Sequence, residues 1–309
     1  MALERDNRAG RTDAPAPAAT SRWAGIALML GSALSNQSGA SLAALAFPVM
    51  GPVGVVAVRQ WVAAVVLLVV GRPRLRAFTA TQWRPILALA VVFATMNLSL
   101  YLAIDRIGLG LAVTLEFLGP LAIAVASSRR RRDVLCALVA AAAVGVLTRP
   151  QPSTDYVGIG FALLAAVCWA GYILLNRSVG ARVPGLQGSA AAAALSGLIY
   201  LPVGCVALWL NPPTLGAMLC ALAAGVLSSA VPFLTDLLAL RRVPARFFGI
   251  FMSVNPVFAS VIGMLVLDQQ LDVASWLAVV AIVAANTISA SAPAQLAAPE
   301  NAEPKSATN

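Results

Sequence analysis

Apolar runs of about twenty residues recur along nearly the whole chain, separated by short stretches where Arg, Pro and Gly collect. A helix needs about that many residues to cross a hydrocarbon core of roughly 30 Å, and in lipid only helices or closed barrels satisfy their own backbone groups. The runs do not alternate apolar with polar residues, which excludes barrel strands. Hydrophobic residues make up 60% and charged residues 11% of the 309, a balance no ordinary soluble domain has. The fold class that follows is an all-α integral membrane protein.

The runs place spans at about 23 to 45, 52 to 70, 85 to 104, 109 to 127, 134 to 148, 157 to 176, 187 to 210, 215 to 240, 247 to 267 and 274 to 291. The fifth is short, so the runs alone allow nine or ten. Charge selects between them. With the N-terminus in the cytoplasm, Arg72, Arg74, Arg76, Arg84, Arg129 to Arg132, Arg177, Arg182, Arg241, Arg242 and Arg246 all fall on the cytoplasmic side, and only Arg106 and Arg149 fall outside. The positive-inside bias therefore favours ten transmembrane helices with both termini cytoplasmic. The formal net charge of +9 is a topology signal, and no soluble basic domain offers a nucleic-acid surface. Residues 1 to 22 and 292 to 309 are polar and rich in Ala and Pro, and read as disordered cytoplasmic tails. The near-absence of lysine, with Lys305 the only one among 21 basic residues, fits a GC-rich bacterial coding sequence and so an inner-membrane location.

Several chemistries are closed off. There is no His, so His-dependent metal sites, haem ligation by His and His-based catalysis are excluded. No nucleotide-binding loop of the GxxxxGK[ST] type is present. Cys136, Cys168, Cys205 and Cys220 lie inside spans without CxxC spacing and read as buried structural thiols. No cofactor or metal is implied, and an enzyme is not.

An internal repeat sets the architecture. Sliding the chain by 135 lays "GIALMLGSALSNQ", from Gly25, over "GFALLAAVCWAGY", from Gly160; sliding by 136 lays Pro120 over Pro256. The chain divides into five spans over 23 to 148 and five over 157 to 291. Five is odd, so the second copy enters the membrane upside down, and inverted repeats of this kind enclose a central site near the midplane.

A charge at mid-depth costs roughly 2.5 to 3.5 kcal/mol on insertion scales, so intramembrane charges face the bundle interior and are functional by default. Three fall within spans: Arg59, Glu116 and Asp236. Glu116 is the deepest, and Pro120, one turn on, cannot donate to its carbonyl. Glu116 reads as a proton-coupling or amine-binding group, or as a neutral carboxyl joining two helices. Arg59 reads as a fork for a substrate carboxylate, as a counter-ion for Glu116, or as a stem that snorkels outward. Asp236, close to Arg241, Arg242 and Arg246, reads more as a charge pair with them than as a substrate contact. Asn97 and Tyr101, four apart, make one polar face that lines a cavity or bonds a neighbouring helix. Pro232 and Pro256 are read as interior prolines that kink their helices for gating or merely for packing. Trp61 and Trp209 are among the aromatics read as interface anchors.

"GASLAALAFPVMGPVGVVAVRQ", "MNLSLYLAIDRIGLGLAVTLEFLGPLAIAVASSRRR" and "PARFFGIFMSVNPVFASVIGML" resemble the EamA-type family of the drug/metabolite transporter superfamily, and within it the bacterial threonine and homoserine exporters. The resemblance runs from about residue 23 to 290. It implies two inverted five-helix repeats around a central cavity, an inner-membrane location and export of small amino acids or related metabolites, with proton antiport as the driving force. Its matching positions are Arg59, Asn97, Glu116, Pro120 and Pro256, with Asp236 where those exporters carry Glu. Two departures stand out: Asn255 replaces a Glu, and Asp268 with Gln269 replaces a Gly-Glu pair. Asn255 joins the expected polar contacts. The partners implied are a small-molecule substrate, protons and membrane lipid, and a homodimer is left open. The alternative transport reading is efflux of drugs or other amphiphilic metabolites through the same alternating-access fold.

Overall fold

Glycine and proline decide where the apolar runs turn. In the computed structural model, residues 19–126, 155–232 and 254–290 are described, together with 131, 134, 135, 138–140, 142, 143 and 235. Among them 89% are helical and none is in a strand. The first helix, α1 (Ala19–Gly71), has 53 residues, which at about 1.5 Å per residue is more than twice a membrane core. It does not run straight. Gly51 takes φ 67 and ψ 158 inside it, a backbone open to glycine, and the extended ψ is what the following Pro52 imposes. The two expected spans are thus two arms of one broken helix.

After a short 3₁₀ turn at Leu75–Ala77 comes α2 (Ala80–Ile107), opened where Gln82 Oε1 accepts the Thr79 N–H at 2.9 Å. A single residue, Gly108 at φ 82, reverses the chain into α3 (Leu109–Glu116), and α4 (Leu118–Ala126) follows across a break at Phe117. Pro120 accounts for that break, since the Glu116 carbonyl lies four residues before it and has no N–H to meet. Of the fifth span, the described residues within 131–143 are helical.

The second half supplies α5 (Tyr156–Gly180), α6 (Gln187–Leu210), α7 (Leu215–Gly225), α8 (Asn255–Leu267) and α9 (Val273–Ala290). Side-chain caps start three of them: Asp155 accepts from Gly158 N at 2.8 Å, Thr214 from Ala217 N at 3.3 Å and Asp272 from Ser275 N at 2.8 Å. Past α7 the helix widens into a π turn, Val226–Ala230. α1, α2, α5 and α6 are long and apolar enough to cross a membrane; α7, α8, α9 and the α3–α4 stretch are shorter apolar helices.

Packing relies on small residues, as it must where lipid is as apolar as Leu. The second arm of α1 meets α6 along a seam in which Gly71 faces Ala190, Ala64 faces Gly197 and Ala57 faces Gly204. The steps are seven residues on each helix and run in opposite senses, the signature of antiparallel helices on a heptad seam. Elsewhere α2 packs on α5, α7 on α1, α3 on α8, and α4 on both α5 and α9.

Two expectations fail here. Cys205 is exposed on the helix surface rather than buried, because its face of α6 points away from the α1 seam. Trp61 is no interface anchor: it lies inside the α1–α6 seam and donates from Nε1 to the Gly197 carbonyl at 3.1 Å. Trp209, 80% exposed at the end of α6, sits where an anchor would.

Candidate functional site

A cavity of about 230 Å³ opens among α1, α2, α3, α5, α8 and the π turn past α7, and most of the residues singled out from the sequence line it: Arg59, Asn97, Tyr101, Glu116, Pro232 and Asn255. Pro120 lies beside it in α4, half-buried. Asp236 falls outside the described residues. Pro256 is not an interior proline of the described helix; it occupies the first turn of α8, where the missing N–H breaks no bond.

Arg59 enters from the second arm of α1, eight residues past the Gly51 break. Its guanidinium lies over the Tyr101 ring at 5.0 Å, and its Nη2 donates to the Ser228 carbonyl at 3.4 Å. Ser228 is in the π turn, the kind of irregularity that turns a carbonyl out of the helical ladder. Its hydroxyl donates to the Asn36 carbonyl at 2.9 Å, while Ser35 donates to the Leu227 carbonyl at 2.8 Å, so the turn is stitched to the first arm of α1. Two polar atoms beside this point are buried without a partner, Arg59 Nε and the Tyr101 hydroxyl. Such atoms cost free energy until something bonds them.

Glu116, 6% exposed, ends α3 against the same cavity. The Phe117 ring after it packs edge-on against Trp169 at 4.6 Å, and Gly119 lies so close to the Ala166 carbonyl of α5 that a side chain there would collide. The backbone that follows Glu116 is thus held by rigid neighbours. Glu116 and Arg59 are not joined: among the described residues the ion pair is Arg106 with Asp155, at 3.0 Å. The cavity presents a cation on one wall and a carboxylate on another without letting them close on each other.

Asn97 is 2% exposed and its amide donates back to the Phe93 carbonyl at 2.8 Å. Asn255, the first residue of α8, accepts from Gln37 Nε2 at 3.0 Å across the two halves. Gln37, Asn36, Ser228 and Trp169 were not singled out from the sequence. Their signal was present in "SNQS", residues 35 to 38, and "SSA", residues 228 to 230, polar pockets in apolar spans that a search for full charges passes over. Among the described residues there is no group of three His, Cys, Asp or Glu able to hold a metal.

The far end of the bundle is tied shut. Gln269, in the turn after α8, offers Oε1 to the Leu109 N–H at 2.9 Å and so caps α3 across the bundle, next to the Arg106–Asp155 pair. Asp155 at this end keeps its carboxyl below the usual carboxylate range, first through the Gly158 N–H and then through Arg106.

Known proteins resemble this chain in sequence and in fold. Residues 156–290 match the EamA-like transporter family. The threonine/homoserine exporters RhtA of Escherichia coli (strain K12) and Salmonella typhimurium (strain LT2) are 37% and 36% identical to this chain, over 85% of it and 90% of each relative. One solved crystal structure shares the fold with a TM-score of 0.57 over 88% of this chain and 97% of its own, at 20% identity. The chain belongs to the EamA-like transporter family, and it is a membrane transporter, not an enzyme.

Proposed function

We propose that the chain is a secondary exporter of a small zwitterionic amino acid or close metabolite, threonine- or homoserine-like, working by proton antiport. The observation that carries the reading is the unlinked pair of the Arg59 guanidinium and the Glu116 carboxyl, facing one cavity. An α-carboxylate accepts from the guanidinium, including the orphaned Nε, and from the Tyr101 hydroxyl. The α-ammonium meets the Glu116 carboxylate. A proton and the ammonium compete for that same carboxylate, so loading one displaces the other, which is the logic of antiport. The names of the relatives, threonine/homoserine exporters, point the same way.

The fold reading that goes with it is two inverted five-helix repeats, residues 23–148 and 157–291, in the cytoplasmic membrane with both ends inside. Two hydrogen bonds support the inversion. Gln60 Nε2 donates to Ser196 Oγ at 2.7 Å and Trp61 to the Gly197 carbonyl, and both pairs are 136 residues apart, the offset of the sequence repeat. Antiparallel helices related by a two-fold axis meet at equivalent residues, so the α1–α6 seam lies where such an axis would pass. The family match to residues 156–290 alone is what a repeated unit would give.

The test is flux in proteoliposomes of labelled threonine and homoserine against a proton gradient. Gradient-dependent movement above empty vesicles is expected, and its absence refutes the exporter reading. Glu116→Gln removes the partner of both the ammonium and the proton, so it should raise the KM for substrate and abolish the response to the gradient; a normal response in correctly inserted protein would remove Glu116 from the coupling.

A further inference from the structure

A second cavity, about 320 Å³, adjoins the first and shares Arg59, Asn97 and Tyr172 with it. It runs to the end of the bundle where α1 and α5 finish and α2 and α6 begin, the end that carries Arg72, Arg74, Arg84, Arg177 and Arg182. Three of its side chains form a hydrogen-bonded chain along one wall. The Ser189 hydroxyl donates to Asn176 Oδ1 at 3.1 Å, and the Asn176 amide donates to the Tyr172 hydroxyl at 3.4 Å. Tyr172 in turn packs on Phe93, with ring centroids 6.0 Å apart. Among the described residues, Arg59 is the only charged one lining this second cavity. All three members of the chain are neutral, and each both donates and accepts.

We propose that Tyr172, Asn176 and Ser189 form a selectivity subsite that reads a hydroxyl on the side chain of the transported amino acid. The inference rests on the zwitterion reading above. With the carboxylate on Arg59 and the ammonium on Glu116, the two charged ends occupy the first cavity, and Arg59 is the charged group from which a ligand reaches the second. The substrate side chain then points along the wall that Tyr172 begins. A hydroxyl can insert into an amide–hydroxyl chain as donor and acceptor together. A methyl group of the same size cannot join that chain and displaces water from its half-buried polar atoms without replacing the hydrogen bonds, the discrimination in which polar sites excel.

Threonine and valine differ by that exchange of hydroxyl for methyl, so the readout is the ratio of threonine to valine flux in one proteoliposome preparation, which cancels the amount of active protein. The wild type should prefer threonine. Asn176→Leu should lower the ratio by about tenfold or more, and Ser189→Ala, which removes a single oxygen, by a few-fold. If Asn176→Leu fails to insert, Ser189→Ala decides alone. Unchanged ratios in the inserted variants overturn the subsite while leaving the exporter reading standing. A wild type that moves neither amino acid overturns the exporter reading itself, and the subsite with it.

Discussion

The α3–α8 packing near the closed end is tight enough to give a number. Gly110 of α3 sits against Ser260 of α8, and a Cβ placed on Gly110 would lie 2.8 Å from Ser260 Oγ, 2.9 Å from its α-carbon and 3.2 Å from its Cβ. Ser260 is 1% exposed and its hydroxyl is already bonded to the Pro256 carbonyl at 2.8 Å, so it has no room to swing aside. In Gly110→Ala the backbone of α8 must retreat by about 0.5 Å to carry the Ser260 α-carbon from 2.9 Å out to an ordinary separation of about 3.4 Å. Overpacking of this sort costs about 1 to 3 kcal/mol, and the better helix propensity of Ala returns about 0.5 to 1. Against wild type the net loss is about 0 to 2.5 kcal/mol. Against a helical glycine variant that gains the propensity alone it is the full loss of about 1 to 3 kcal/mol, which corresponds to roughly 5- to 150-fold faster inactivation than that control if the two helices stay packed until the protein unfolds. Gly31→Ala and Gly160→Ala are the controls, since a Cβ at either meets nothing within 4 Å. The assay is the rate of thermal inactivation in one detergent, all three variants beside the wild type. Controls at or slightly above wild-type stability with Gly110→Ala well below them is the expected pattern. Gly110→Ala matching its controls would refute the claim that α3 and α8 close on bare backbone.

Three shorter expectations follow from the same geometry. Gln60→Leu and Ser196→Ala should each cost about 0.6 to 1.7 kcal/mol, and the double variant less than their sum; strictly additive effects in a double-mutant cycle would separate the two side chains. Arg59→Lys keeps the charge but loses the planar fork and the stacking on Tyr101, so KM should rise about 10- to 100-fold while the protein still inserts, and an unchanged KM would take the carboxylate away from Arg59. For Asp155→Asn the sign of the pH effect is fixed by the lowered carboxyl: its contribution is present above the ordinary carboxylate range and lost as pH falls through the depressed value. The stability difference from wild type should therefore be flat between about pH 8 and 5 and vanish only in strong acid, and a difference that fades already at pH 6 would contradict the Arg106 and Gly158 contacts.

Much of the architecture was legible because lipid leaves a chain few choices. Apolar run length marked the helices and Pro120 marked one break, while Gly51 and Gly108, neither of them singled out from the sequence, lie in the gaps between the expected spans. Register was less legible: nothing in the run lengths says that α1 continues from Ala19 to Gly71 as one broken helix, or that Trp61 turns inward to Gly197 instead of anchoring at the interface. The charged part of the site was readable for an energetic reason, since Arg59 and Glu116 are too costly at mid-depth to be idle. Its neutral part was not. Gln37, Ser228, Asn176 and Ser189 cost little in a span, so their presence there carries little information, and only the fold shows that they share walls with the charges. The π turn is a case of its own, because the Ser228 carbonyl that meets Arg59 is backbone and leaves no mark in the side-chain sequence at all.

The distribution of charge between the halves has a physical reason under the zwitterion reading. At the proposed repeat offset of 136, Arg59 corresponds to Leu195 and Glu116 to Met252, so neither cavity charge has a charged counterpart in the second half, whose own intramembrane charge, Asp236, corresponds to Leu100. Under the proposed duplication, the ancestral gene would begin with both sets. A zwitterion brings one carboxylate and one ammonium, and a second Arg and Glu would remain buried with no ligand to meet them, at roughly 2.5 to 3.5 kcal/mol each. Neutral residues in the second half remove that cost and still supply hydrogen bonds, as Asn255 does with Gln37 and Ser228 with Arg59. A scaffold can stay symmetric while its chemistry cannot, because the molecule it carries has two different ends.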